Sequence, residues 1–163
     1  MAYFDPEFLN HRFRRWDQLP DIELYMDQVI GFLEKELRPV LRDHKLITPS
    51  MINNYVKLGV IPRPNHKRYG REHLALLVMT CVLKQVVPLP VAGALLPAFE
   101  AQGGLAAGYD RFCDTVERAL RETCARAEGE IASAGEIALE AAARRLCVGE
   151  LVAKSEEKLE GKE

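Results

Sequence analysis

Apolar side chains recur at helical spacing along most of the chain, and segments with the alternation typical of strands are scarce. Residues 1–20 show no regular pattern and are predicted to form an irregular arm. From Asp21 to Arg38 apolar residues return every three or four positions, with Asp21 as a cap and Pro39 at the far end. We therefore predict a first helix over this stretch.

A short helix is predicted next, over residues 49–58. Thr48 supplies a capping hydroxyl, and Pro49 stands where a missing N–H costs nothing. Gly59 is the residue type that ends a helix most readily.

The segment of residues 60–69 contains Pro62 and Pro64 and cannot be helical. A turn at residues 65–67 followed by Arg68 and Tyr69 predicts a small two-stranded wing. Helical patterns then return up to the C-terminus, interrupted by a glycine-rich linker at residues 102–108. The predicted helices cover residues 70–86, 91–101, 109–128 and 130–159.

Composition indicates a globular protein, with 48% apolar and 28% charged residues. The longest apolar stretch, residues 86–99, contains three prolines and is too short to span a bilayer, and the N-terminus lacks a secretory pattern. We therefore expect a cytoplasmic protein without a membrane partner. The four cysteines are widely spaced, which favours reduced core residues over a metal site. No cofactor is expected.

Charge is distributed unevenly. The net charge is −2, yet residues 44–84 carry seven basic side chains against one acidic side chain. The segments on either side are both net acidic. A basic segment in an acidic protein indicates either a surface that binds an anion or a solvated basic face.

One face of the short helix is polar and lacks carboxylates. Ser50, Asn53, Asn54 and Lys57 share this face by their spacing. Asparagine can pair with an adenine edge, and serine and lysine can contact bases or phosphates, so the face suits a DNA major groove. The alternative is a polar surface exposed only to solvent.

Cations cluster on the predicted wing beside this helix. Arg63, Lys67 and Arg68 lie within six residues, and Arg71 follows at the start of the next helix. Such cations can hold phosphates on either side of a helix that contacts bases. Tyr69 could add a hydroxyl to a phosphate or serve only to anchor the wing.

The order of these features resembles the DNA-binding head of MerR-type winged-helix regulators. The matching positions are Tyr55, Gly59, Ile61, Pro62, Arg68, Tyr69, Leu74 and Leu77. The resemblance implies a mostly α fold, a winged helix-turn-helix with a two-stranded wing followed by C-terminal helices, in which Tyr55 joins the DNA-binding set. It also implies a dimer formed by the C-terminal helices. Where that pattern has an arginine, this chain has Asn53. Residues from Leu19 to Leu96 also resemble an uncharacterised bacterial family described as a domain of unknown function.

The C-terminal helix over residues 109–128 carries an apolar stripe. Its members are Phe112, Val116, Leu120 and Cys124. The stripe can pack within the chain or against a second copy, and we predict a homodimer.

The sequence therefore predicts an arm at residues 1–20, a winged helix-turn-helix DNA-binding domain at 21–101, and a helical dimerisation region at 109–160. The predicted function is a sequence-specific transcriptional regulator that reads double-stranded DNA with residues 49–58 and holds phosphates with residues 60–69. A protein-interaction module without DNA readout is the alternative. The common nucleotide and zinc motifs are absent from the sequence and His66 and His73 lack a carboxylate pair, so we do not expect an enzyme. The sequence does not specify an effector.

Overall fold

The computed structural model describes residues 4–42, 45–127 and 131–161, and helices dominate these residues. The helices are α1 (Pro6–Asn10), α2 (Met26–Leu37), α3 (Pro49–Lys57), α4 (Arg71–Leu83), α5 (Leu89–Glu100), α6 (Gly104–Arg126) and α7 (Ile131–Glu160). A single 3-10 turn, Trp16–Gln18, lies between α1 and α2. The arm at residues 1–20 thus contains two short helical segments where the sequence predicted irregular chain.

Helix α4 is the centre of the fold. Every residue from Leu74 to Cys81 is buried, because α2, α5 and α6 pack around this helix. A helix that is apolar on all sides is stable only when it is enclosed in this way. Its one buried hydroxyl, on Thr80, donates a hydrogen bond to the Leu76 carbonyl at 2.7 Å.

The first predicted helix begins four residues later than expected, at Met26 with Tyr25 as its cap. Leu24 is extended and exchanges backbone hydrogen bonds of 2.8 Å with Tyr69 in both directions. The residues around Leu24 are therefore drawn out of the helix. As a result Ile22 and Tyr25, two of the periodic apolar residues in the predicted helix, are exposed.

The predicted two-stranded wing is wrong, and with it the winged helix-turn-helix fold class. Within residues 4–42, 45–127 and 131–161 the chain forms only two isolated bridges and no strand. Pro62 and Pro64 cannot donate to a ladder, and Tyr69 pairs with Leu24 instead of with the segment before the turn. Only Asn65 and Arg68 remain paired across the turn.

Helices α5 and α6 approach each other closely. Helix α6 starts at Gly104, so most of the predicted linker, residues 104–108 of 102–108, is helical. A Cβ on Gly108 would lie 2.1 Å from the Phe99 carbonyl oxygen, which only glycine permits. The predicted boundaries at Glu128 and Glu130 lie outside the described residues, but α7 ends at Glu160 much as expected.

Two buried carboxylates hold the N-terminal arm against the helices. Glu117 of α6 accepts a hydrogen bond from the Phe13 N–H at 2.9 Å and pairs with Arg12 and Arg15, each at 2.8 Å. Glu36 of α2 likewise accepts from the Arg14 backbone N–H and pairs with its guanidinium. The arm is thereby fixed across α2 and α6.

None of the helices in the described ranges combines the length and the apolar content that crossing a bilayer requires.

Candidate nucleic-acid interface

Helix α3 begins and ends with signals that are visible in the sequence. The Thr48 hydroxyl accepts from the Met51 N–H at 3.2 Å, and Pro49 is the first helical residue. At the other end Gly59 adopts a φ of +72°, its N–H bonds to the Val56 carbonyl, and the Val60 N–H bonds to the Tyr55 carbonyl. This is a Schellman ending. It turns the chain sharply away after α3, as predicted.

One side of α3 packs inward and the other faces solvent. Ile52 and Tyr55 are buried. The four predicted polar residues are all exposed and share the outer side: Ser50, Asn53, Asn54 and Lys57. We call this set the α3 polar face. It contains no carboxylate.

Tyr55 does not belong to this exposed face. Its ring is buried, its hydroxyl accepts a hydrogen bond from the Lys84 ammonium at 2.8 Å, and that ammonium lies 5.0 Å from the ring centroid. Burial raises the pKa of Tyr55 above its ordinary value, against the opposing effect of Lys84. Tyr55 therefore anchors α3 to the end of α4.

The segment after α3 ends in a tight turn, residues 65–68, that carries the cations Lys67 and Arg68. Asn65 and Arg68 exchange backbone hydrogen bonds of 3.0 and 2.9 Å. Between them His66 and Lys67 adopt φ values of 49° and 61°. Such a two-residue turn normally uses glycine or asparagine, because other side chains are strained at positive φ. Strain of this kind at an exposed site is a reason to look for function.

His73 holds this segment in place, a role that the sequence analysis missed. Its Nδ1 accepts from the Gly70 N–H at 3.0 Å, and its Nε2–H donates to the Arg63 carbonyl at 3.3 Å. The ring also packs edge to face with the buried Tyr69 ring, with 5.5 Å between the two ring centroids. The spacing of Gly70 and His73, a cap and the third helical position, is the signal that could have revealed it.

The predicted cations divide into two groups. Arg68 pairs with Glu23 at 3.3 Å, while Arg71 donates to the Leu19 carbonyl at 3.1 Å and lies 5.9 Å from the Trp16 ring centroid. The others are exposed, and across the part of the chain that the structure describes no ion pair involves them: Lys57, Arg63 and Lys67. We call these three residues the exposed cations. Tyr69 is buried, so its role is that of an anchor.

Half of the predicted dimerisation stripe packs within the chain. Phe112 is buried and meets Phe99 edge to face, with 5.8 Å between the ring centroids, and Val116 packs against the same core. Leu120 and Cys124 are half-buried. Phe112 and Val116 thus fasten α6 to its own chain, and a contact of Leu120 and Cys124 with a second copy stays a prediction.

The cysteines match the expected core positions only in part. Cys81 and Cys113 are buried, and burial raises the pKa of both thiols to about 12, whereas Cys124 is half-buried and Cys147 is exposed. Among the described residues no cluster of three or more His, Cys, Asp or Glu side chains is arranged to hold a metal ion.

These features define a protein that is helical throughout its described regular elements, in which the nine-residue helix α3 packs one side on the core and exposes an acid-free polar face beside the exposed cations. The chain belongs to the family described as Domain of unknown function (DUF1836), whose model matches residues 14–112. The match confirms the predicted resemblance to a family of that description, whereas the MerR-like head is not supported. The matched segment runs from the arm into the first part of α6 and contains the whole α3 polar face. No curated protein and no solved structure matches the chain.

Proposed function

We propose that this protein binds duplex DNA sequence-specifically, with α3 in the major groove, and that it acts as a transcriptional regulator. The observation that carries the proposal is the α3 polar face, whose four side chains are all exposed and include no acid. Two adjacent asparagines on it offer the amide groups that pair with adenine.

The dimensions of α3 suit this task. A nine-residue helix is about 13 Å long, and a helix about 10–12 Å in diameter fits a major groove about 12 Å wide. Its inner side packs on the core through Ile52 and Tyr55, so the outer side can enter the groove without unfolding anything.

The exposed cations supply phosphate contacts on either side of this helix. Lys57 lies on α3, whereas Arg63 and Lys67 lie on the segment that leaves it. That segment is held by the Arg63 carbonyl bond to His73 and by the turn at residues 65–68, so its cations are pre-positioned. Phosphate contacts position a protein on DNA while base contacts select the sequence.

The first prediction concerns salt and Lys67. With three phosphate contacts per copy, the logarithm of the DNA affinity should fall with the logarithm of salt concentration at a slope of about −3 per copy. Lys67→Gly should reduce this slope by about one unit, since one contact is lost. It should also stabilise the fold by about 0.5–1 kcal/mol, because glycine relieves the positive φ. Fluorescence anisotropy and urea unfolding measure the two effects.

His66→Gly is the matched control, because it relieves the same turn and keeps the lysine. At pH 8 it should stabilise the fold similarly and leave the salt slope unchanged. Absence of binding to a pool of genomic fragments at low salt would refute the DNA proposal. If Lys67→Gly leaves the slope of DNA affinity against salt unchanged, the turn at residues 65–68 is not part of the DNA interface.

The second prediction concerns base recognition. Asn54→Ala should reduce the discrimination between a selected site and random DNA by about 1–3 kcal/mol, because the amide contact to a base edge is lost. Lys57→Ala, on the same face, should weaken binding to both DNAs alike. Both side chains are exposed, so folding should change little. Unchanged sequence preference in Asn54→Ala would show that α3 does not read bases.

A protein-interaction module is the second candidate, and one apolar feature favours it. Leu58 is exposed at the end of α3, beside a cavity of about 360 Å³ lined by Leu58, Gly59, Val60, Pro90 and Gly93. A partner seated there would bind through apolar contacts, and its affinity would change little with salt. The salt titration therefore separates the two candidates.

A further inference from the structure

Helix α7 is long, and none of its described residues is buried by the rest of the chain. It spans 30 residues, yet Leu139 and Leu146 remain 73% and 72% exposed. Where α7 does meet the body of the protein, it uses other residues: Glu140 pairs with Arg126 at 3.5 Å, and Val148 and Val152 face α5 across a cavity of about 420 Å³. Long helices in water normally depend on packing of an apolar face.

The exposed leucines belong to a regular stripe on the outer side of α7. Its members alternate in spacing of four and three residues: Gly135, Leu139, Ala142, Leu146, Gly149 and Ala153. We call this set the outer stripe. Alternate spacing of four and three is the heptad repeat of two helices that pack along each other.

The charges beside the outer stripe are complementary for one orientation of a second copy. One edge carries Glu136, Glu150 and Glu157, and the other edge carries a single charge, Arg145. In a parallel pair, a residue on the Arg145 edge of one helix lies beside the residue five positions further along the chain on the acidic edge of the other helix. Arg145 of each copy therefore lies beside Glu150 of the other copy, so this pairing occurs twice. An antiparallel pair would instead place acidic edge against acidic edge.

We propose that α7 pairs in parallel with α7 of a second copy through the outer stripe. Gly135 supports this proposal. Glycine weakens a helix interior, and nothing in its own chain lies within 4 Å of a Cβ placed at this position. A second helix packed closely against Gly135 would explain why glycine stands there. The dimer stands independently of DNA binding, and a two-fold axis along α7 would present two α3 polar faces together.

The test is the mass of the full chain against concentration, by sedimentation and light scattering. The wild type should be a dimer, and Leu139→Glu with Leu146→Glu should raise the dissociation constant at least about 100-fold, since two apolar contacts are replaced by charges in each copy. Circular dichroism should still show a folded protein, with any loss of helix confined to the share that α7 contributes, because these side chains are exposed in the single chain. Leu151→Glu, a leucine 66% exposed on the side that faces α5 and outside the stripe, should leave the mass unchanged.

Orientation is tested by a cross-link that keeps both leucines. In a Cys147→Ala background, Ala142→Cys should form a disulfide dimer under oxidant, because a parallel pair brings this position to its own copy. Ser155→Cys, on the side facing α5, should not. A monomer at every concentration, or a dimer that resists the double glutamate change, overturns the proposal. A dimer without the Ala142→Cys cross-link overturns its parallel arrangement.

Discussion

Replacing Gly108 with alanine is expected to destabilise the fold by about 3 kcal/mol, because the new methyl group has no room. Its Cβ would lie 2.1 Å from the carbonyl oxygen and 2.7 Å from the carbonyl carbon of Phe99. Both are backbone atoms of α5, which cannot rotate aside as a side chain would. Helix α5 would have to move away from α6, and the Phe99–Phe112 contact would open with it.

Gly31→Ala is the matched control for this prediction. Gly31 lies inside α2, and a Cβ there meets nothing within 4 Å. Alanine should therefore stabilise the fold by about 0.5–1 kcal/mol through helix propensity alone. Urea unfolding at one fixed protein concentration measures both variants. A neutral effect of Gly108→Ala would mean that α5 and α6 do not pack as closely as the structure has them.

Glu117→Gln is expected to destabilise the fold by about 3 kcal/mol, because it removes one partner from a buried ion pair. Glu117 is only 3% exposed on its side chain, and it satisfies both the Phe13 N–H and the Arg15 guanidinium. The glutamine keeps the shape but not the charge, so Arg15 would keep only its ion pair with Asp114 at 2.7 Å. The N-terminal arm should then detach from α6 first.

The pH dependence of this effect is a sharper test. Burial by itself would raise the pKa of Glu117, but hydrogen bonds from Arg15, the Phe13 N–H and Arg12 outweigh it and lower the pKa from 4.5 to about 2. A carboxylate with a lowered pKa contributes stability that is complete above about pH 4.5 and is lost as the pH falls toward 2. The difference in unfolding free energy between wild type and Glu117→Gln should shrink over that range.

Glu122→Gln provides the control on the same helix. Glu122 is exposed, and its contact with Arg118 is 4.0 Å, so the change should cost less than about 0.5 kcal/mol. A Glu117→Gln effect that stays constant between pH 4.5 and pH 2 would contradict a buried, charged Glu117.

Elements with local signals could be predicted from the order of residues alone. Thr48, Pro49 and Gly59 set the limits of α3, because a cap and a left-handed residue act on the helix next to them. The spacing of Ser50, Asn53, Asn54 and Lys57 likewise determined that they share one face. The matched family segment, residues 14–112, was anticipated in part from the same stretch of sequence.

Pairings between residues that are far apart in the chain depend on how the helices pack. Leu24 forms backbone hydrogen bonds with Tyr69, so Tyr69 is not free to form the predicted wing. Glu23 forms an ion pair with Arg68. Arg15 donates hydrogen bonds to Glu117, which is 102 residues away in the sequence, and no local pattern can predict such a contact. An apolar stripe looks the same whether its own chain or another covers it. For this reason the sequence could not separate Phe112, which is buried, from Leu146, which remains exposed.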